Sequence, residues 1–196
     1  MVRRHFKLAR FSCPAMIVAL VIAGTIPSHT SAQIREASEY EVKALFLYNF
    51  AKFVEWPPNT SRQLSDPMTI CVFGEDPFGP ILDDAVRGKR IGSHKFVIRR
   101  IQAAQSANGC QIAFISTSER KHVRSVLATV GGEGVLTVGE MDDFAAIGGV
   151  INLVIEAGRV HFEVNVDAAE RAGLKISSKL LTLAKIVKEV DHAGKS

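Results

Sequence analysis

The sequence predicts an α/β fold: a single domain built on a mostly parallel sheet, with helices on both faces and an antiparallel hairpin near the C-terminus. Three observations predict it. Apolar runs of strand length recur between stretches with helical spacing. Several of those runs are continuously apolar, as strands covered on both faces are. No Gly/Ser/Pro-rich linker, low-complexity run or internal repeat divides the chain. The composition agrees: 196 residues, 47% hydrophobic and 22% charged, describe a globular domain and exclude a disordered or collagen-like one.

The N-terminus comes first. Arg3, Arg4, Lys7 and Arg10 stand without an acid, the apolar run Ala15–Ile26 follows, and Thr30-Ser31-Ala32 precedes Gln33. This is the pattern of a secretory signal peptide over residues 1–32, cut after Ala32. An uncleaved anchor is the alternative, but at about 1.5 Å per residue the run covers only about 18 Å of a roughly 30 Å hydrocarbon core. Without the leader, residues 33–196 carry 20 basic and 20 acidic groups, so the formal charge of +4 belongs to the export signal. Two of the three cysteines remain, Cys71 and Cys110. In an oxidising compartment they are candidates for a bridge, which removes roughly 4 kcal/mol of denatured-state freedom in the chain-entropy model. A buried pair of free thiols is the other reading.

Glu39–Val54 reads as the first helix, with Ser38 as N-cap, a buried stripe of Val42, Leu45, Phe46, Phe50, Phe53 and Val54, and a stop at Trp56-Pro57-Pro58. Met68–Gly74 reads as a buried strand, Phe78–Val86 as a helix opened by Asp76-Pro77, and Lys95–Ile101 as a second strand. Ile112–Ser116 is a third strand, Glu119–Val130 a helix, and Val135–Val138 a short strand after Gly131-Gly132. A short helix at Met141–Ile147 leads through Gly148-Gly149 to the hairpin Ile151–Ile155 and Val160–Val166, turned at Ala157-Gly158. Helices at Asp167–Gly173 and Ser178–Glu189 complete the order.

Motifs for chemistry are sparse. The chain has no Gly-x-Ser-x-Gly elbow, no Gly-x-x-x-x-Gly-Lys-[Ser/Thr] loop and no Gly-x-Gly-x-x-Gly fingerprint. His94, His122, His161 and His192 lie far apart, without ligand spacing, so no catalytic residue, cofactor or metal is expected. Glu75 and Asp76 follow the first sheet strand, at the carboxyl edge where open α/β sheets bind ligands; the plainer reading is a turn capped by Asp76. Between Ala85 and Ser118 lie Arg87, Lys89, Arg90, Lys95, Arg99 and Arg100 and no acid. That is either a patch for an acidic partner or an ordinary solvated face, and nucleic acid is not expected on a neutral domain. In the last hairpin strand Arg159, His161, Glu163 and Asn165 alternate with Val160, Phe162, Val164 and Val166, which suits either a recognition edge or any half-exposed hairpin. Asn49, Lys52 and Trp56 share a helix face, and Trp56 is either an interface anchor or a core residue.

Four blocks of the sequence resemble one family. They are Glu41-Val42-Lys43-Ala44 through Phe46-Leu47-Tyr48-Asn49-Phe50-Ala51-Lys52-Phe53-Val54-Glu55-Trp56-Pro57, then Ile70-Cys71-Val72-Phe73-Gly74-Glu75-Asp76-Pro77-Phe78-Gly79, then Leu136-Thr137-Val138-Gly139 with Phe144 and Gly148-Gly149, and finally Phe162-Glu163-Val164-Asn165 with Gly173 through Leu181. In this order they resemble the YfiR-like family of secreted bacterial proteins, over nearly the whole of residues 33–196. The resemblance implies a periplasmic, non-enzymatic regulator of Rossmann-like fold, often a homodimer. It implies inhibition of a membrane-bound diguanylate cyclase through the cyclase's periplasmic domain, lower cyclic-di-GMP signalling and biofilm formation, and release by an outer-membrane peptidoglycan-binding lipoprotein. A sensor module that binds a small molecule for another membrane receptor is the alternative. The family's disulfide fits Cys71 and Cys110, a second bridge of some members has no counterpart, and Phe162 and Glu163 fall in its interaction block.

Overall fold

The structure is a computed structural model that describes residues 30–57, 67–101 and 108–190, with side chains from Arg35 onward. Residues 1–29 of the expected leader, Pro58 and His192 lie outside the described residues.

Helix α1 (Thr30–Phe53) is longer than its spacing predicts. Residues 31–37 are mostly good helix formers, so the helix runs through Ser38, which lies inside it and does not cap it. Its buried stripe is also rotated: Ala44, Leu47, Phe50 and Ala51 face the sheet, while Val42 and Leu45 are 39% and 44% exposed. Small alanines let the helix lie close on the strands, and Lys43 is carried under with them, 4% exposed. The helix stops where Val54–Glu55 (β1) pairs antiparallel with Lys175–Ile176 (β9).

The main sheet contains β2 (Met68–Phe73), β4 (His94–Ile101), β5 (Ile112–Ile115), β6 (Leu136–Gly139) and β7 (Ile151–Glu156). These run parallel in the order β4-β2-β5-β6-β7. Strand β8 (Arg159–Val164) returns antiparallel to β7, as the hairpin reading expects. Two short strands finish the margins: β3 (Arg90–Ile91) beside β4, and β10 (Lys185–Ile186) parallel to the end of β8. The fold is thus α/β with a mostly parallel sheet. Period two along β2 sends Ile70 and Val72 to the face covered by α1 and α2 (Pro80–Val86), and Cys71 and Phe73 to the face covered by α3 (Val123–Val130). Cys71 and Cys110 are joined, with Cα atoms 5.8 Å apart, and tie the approach to β5 onto β2.

Three expected helices differ. Glu119–Val130 opens as a 3-10 turn (Thr117–His122) before α3. Met141–Ile147 is a succession of turns, because Asp143 takes a left-handed φ of 61° and Phe144 is driven into the core between two glycines. A Cβ on Gly139 or Gly149 would stand 2.5 or 2.1 Å from that ring. Ser178–Glu189 holds one helical turn, α5 (Ser178–Leu181), after which the chain extends into β10 and covers part of the open edge of β8. The expected helix at Asp167–Gly173 agrees as α4 (Val166–Arg171), capped by Asn165.

Candidate functional site

The carboxyl edge after β2 packs against the 3-10 turn. Gly74, at φ +83°, packs so tightly on the 3-10 turn that a Cβ would meet Ser118 Oγ at 2.3 Å, and the Glu75 N–H donates to that oxygen at 2.9 Å. Asp76 accepts the Phe78 N–H through Oδ1 at 2.8 Å and Arg100 Nε through Oδ2 at 2.6 Å. It therefore organises a turn. Helix α2 starts at Pro80 with Gly79 before it, later than the expected start at Phe78 after Asp76-Pro77.

The basic stretch is largely tied down. Arg100 bridges Asp76, Asp83 and the Gly79 carbonyl, Arg99 donates to the Asn108 carbonyl, Arg90 to the Ser93 carbonyl, and Arg87 pairs with Asp84. Lys89 and Lys52 both lie over the Tyr48 ring, at 4.4 and 4.0 Å, with Lys52 also donating to Asn49 Oδ1. Trp56 is half-buried against the main core. Asn49, Lys52 and Lys89 lie toward β4, on which Tyr48 packs through Phe96. In the sheet, β7, β6, β5 and β2 separate β4 from the hairpin strand β8. The structure therefore does not gather Asn49, Lys52 and the β8 row into one site.

Within that row, two expected contact residues are internal. Phe162 is 4% exposed and packs edge-on against Phe46 and Phe50. Asn165 is fully buried: its Oδ1 accepts the Ala168 N–H and its Nδ2 donates to the Ala145 carbonyl, so it caps α4 and anchors the 141–149 turns. Strict alternation fails there because β8 has ended. Arg159 and His161 are exposed, and Glu163 lies between Asn152 and Lys185.

A cleft of about 530 Å³ opens where β6 ends at Gly139. Beyond Asn152, β7 has among the described residues a strand neighbour on its β8 side only, because β6 pairs with Ile151 and Asn152. The gap is lined by Glu39, Tyr40 and Lys43 of α1, by Glu140, Asp142 and Asp143 of the turns after β6, and by Asn152–Ile155 and Glu163 of the hairpin. Lys43 Nζ bonds Glu140 Oε2 at 2.6 Å and Glu39 Oε1 at 2.5 Å. The Lys43 and Glu140 side chains are 5% and 4% exposed, so each is the condition for burying the other. The Tyr40 hydroxyl donates to Glu140 Oε1 at 3.2 Å. Burial, with the Glu140 carboxylate beside it, pushes the Tyr40 phenol well above its ordinary range, so it remains a proton donor. Register aligns Gly139, Asn152, Glu163 and Lys185 across four strands. Asn152 Nδ2 donates to Glu163 Oε2 at 3.2 Å and Lys185 Nζ to Oε1 at 2.8 Å, a bond that raises the Lys185 pKa. Among the described residues no group of three His, Cys, Asp or Glu is placed to hold a metal. The wall offers fixed charge and hydrogen-bond acceptors, which suits binding.

Residues 40–185 match the family described as YfiR/HmsC-like. The chain belongs to this family. The resemblance read from the sequence is thereby borne out, and membership in the YfiR/HmsC-like family supports a periplasmic regulatory role in general terms. Among the described residues no helix is long and apolar enough to cross a membrane. Two solved structures show the same fold. One is a conserved domain protein from Vibrio cholerae O1 biovar El Tor, at 11% identity and a TM-score of 0.53. The other is the ABC domain in complex with L-Trp from Streptococcus pneumoniae, at 7% identity and a TM-score of 0.50. Each match takes in 76% of this chain and 60% of the other, so the chain spans about 60% of the length of these relatives. At such identities the likeness is one of fold.

Proposed function

We propose that residues 1–32 export the chain to the periplasm and that residues 33–196 act there, without enzymatic activity, as an inhibitor of a membrane-bound diguanylate cyclase. The inhibitor binds the periplasmic domain of the cyclase as a homodimer, lowers cyclic-di-GMP signalling, and is withdrawn by an outer-membrane peptidoglycan-binding lipoprotein. The observation that carries this reading is the family match from Tyr40 to Lys185, which takes in the main sheet as far as the first residue of β10.

The margin of β8 is the surface we assign to the cyclase. β10 pairs with Glu163 and Val164, which among the described residues leaves Arg159–Phe162 as an open sheet edge bearing the exposed side chains of Arg159 and His161. Glu163 is a poor probe of that contact, because reversing its charge also breaks its bonds to Asn152 and Lys185. Co-expression with candidate membrane cyclases of the same genome tests the proposal. Cellular cyclic-di-GMP falls with the wild type and recovers with Arg159→Glu/His161→Glu; unchanged levels with every candidate contradict it. The cleft at the end of β6 favours a second reading, a small-molecule sensor for another membrane receptor.

A further inference from the structure

We infer that the cleft at the end of β6 binds a small alkylammonium compound, which donates an N–H to Asn152 Oδ1. The observation is a buried acceptor left open. Asn152 is 2% exposed and lines the cleft. Its amide orientation is forced, since the Glu163 carboxylate at 3.2 Å can only accept and must face Nδ2. Oδ1 is thereby turned elsewhere and has no partner among the described residues. Buried carbonyl oxygens are filled in native structures, so a donor is what this position lacks.

Charge chooses the kind of donor. Five carboxylates line the cleft against one lysine, Lys43. Arg120 and Lys185 balance one carboxylate each, through Asp142 and Glu163, and the wall remains acidic. A cationic N–H donor is attracted there, whereas an anion meets repulsion. Val154, half-buried, and Ile155, exposed, on the stretch of β7 beyond its pairing with β6 give apolar surface for an alkyl stem. The volume of about 530 Å³ lies within the usual range of small-molecule sites. The inference does not rest on the cyclase reading, and its test involves no cyclase.

Calorimetric titration of the protein expressed with its own leader, using putrescine, measures the proposal. 1,4-Butanediol is the neutral control of similar shape. Saturable one-site binding of putrescine is expected, with no heat from the diol. Asn152→Ala weakens it about tenfold, the loss of one hydrogen bond to a charged group. Asp143→Asn removes an exposed carboxylate at a left-handed position that asparagine tolerates, and weakens binding about threefold with an unchanged melting temperature. This second variant keeps the test open if Asn152→Ala does not fold. Putrescine binding no better than the diol overturns the proposal. So does equal putrescine affinity in folded Asn152→Ala, which would reduce the effect to counterion accumulation, or equal affinity in Asp143→Asn should Asn152→Ala fail to fold.

Discussion

Lys43 is the residue on which the cleft depends. It sits on the inner face of α1 only because Glu140, 97 positions away, meets it there. Lys43→Met leaves the Glu140 carboxylate buried without its cation and is expected to cost about 3–5 kcal/mol in urea denaturation. Lys43→Met/Glu140→Gln keeps an acceptor for Tyr40, removes the stranded charge, and is expected to recover most of that loss. Equal losses in the two variants would mean that Lys43 acts through packing alone. Tyr40 gives a second readout. Its folded-state pKa lies above the unfolded value near 10, so its contribution to stability is complete below that pH and disappears as pH rises beyond it. Spectrophotometric titration is expected to show a phenol still protonated above pH 10 in the native protein, and Tyr40→Phe to remove that late-ionising group. Normal ionisation of both phenols would contradict the burial and the bond to Glu140.

Among the elements, the turns of 141–149 do most to shape the site, since they place Glu140, Asp142 and Asp143 on its rim and bury Phe144. Gly149→Ala puts a methyl 2.1 Å from the Phe144 ring and is expected to lower stability by about 1–3 kcal/mol in urea. An unchanged midpoint would show that the ring has room to move. The same segment marks where sequence reading stops. Strands β2 and β5 are legible because each is an uninterrupted run of apolar or β-branched residues, β4 and β7 because each holds a shorter one, Phe96-Val97-Ile98 and Leu153-Val154-Ile155, and the hairpin because Ala157-Gly158 marks its turn. The two-residue strands β1, β3, β9 and β10 carry no periodicity to read, and β10 shares its residues with a plausible helix. The phase of α1 was misread because Val42 and Leu45 look as apolar as Leu47, and only the sheet decides which side is buried. Glu75, Asp76 and the β8 row were visible as motifs. Lys43, Glu140 and Asn152 were not, because their association depends on where β6 stops. An alanine stripe at Ala44 and Ala51 beside a lysine was the available hint.

At the scale of the molecule, charge is arranged in local pairs. The basic stretch at 85–118 looks like a patch in the sequence, yet Arg87 and Arg100 are spent on Asp84, Asp76 and Asp83 of the neighbouring helix and turn. An acidic cleft stands at the end of β6, and the hairpin margin carries Arg159 and His161. The buried Cys71–Cys110 bridge ties the approach to β5 onto β2 on the α3 face, away from that margin. The disposition suits a rigid domain that presents one sheet edge to a protein partner. Direct binding of the purified protein to the periplasmic domains of membrane diguanylate cyclases from the same genome tests this most closely. Saturable binding to one of them is expected, weakened by Arg159→Glu/His161→Glu at an unchanged melting temperature. Absence of binding to every candidate would contradict the account.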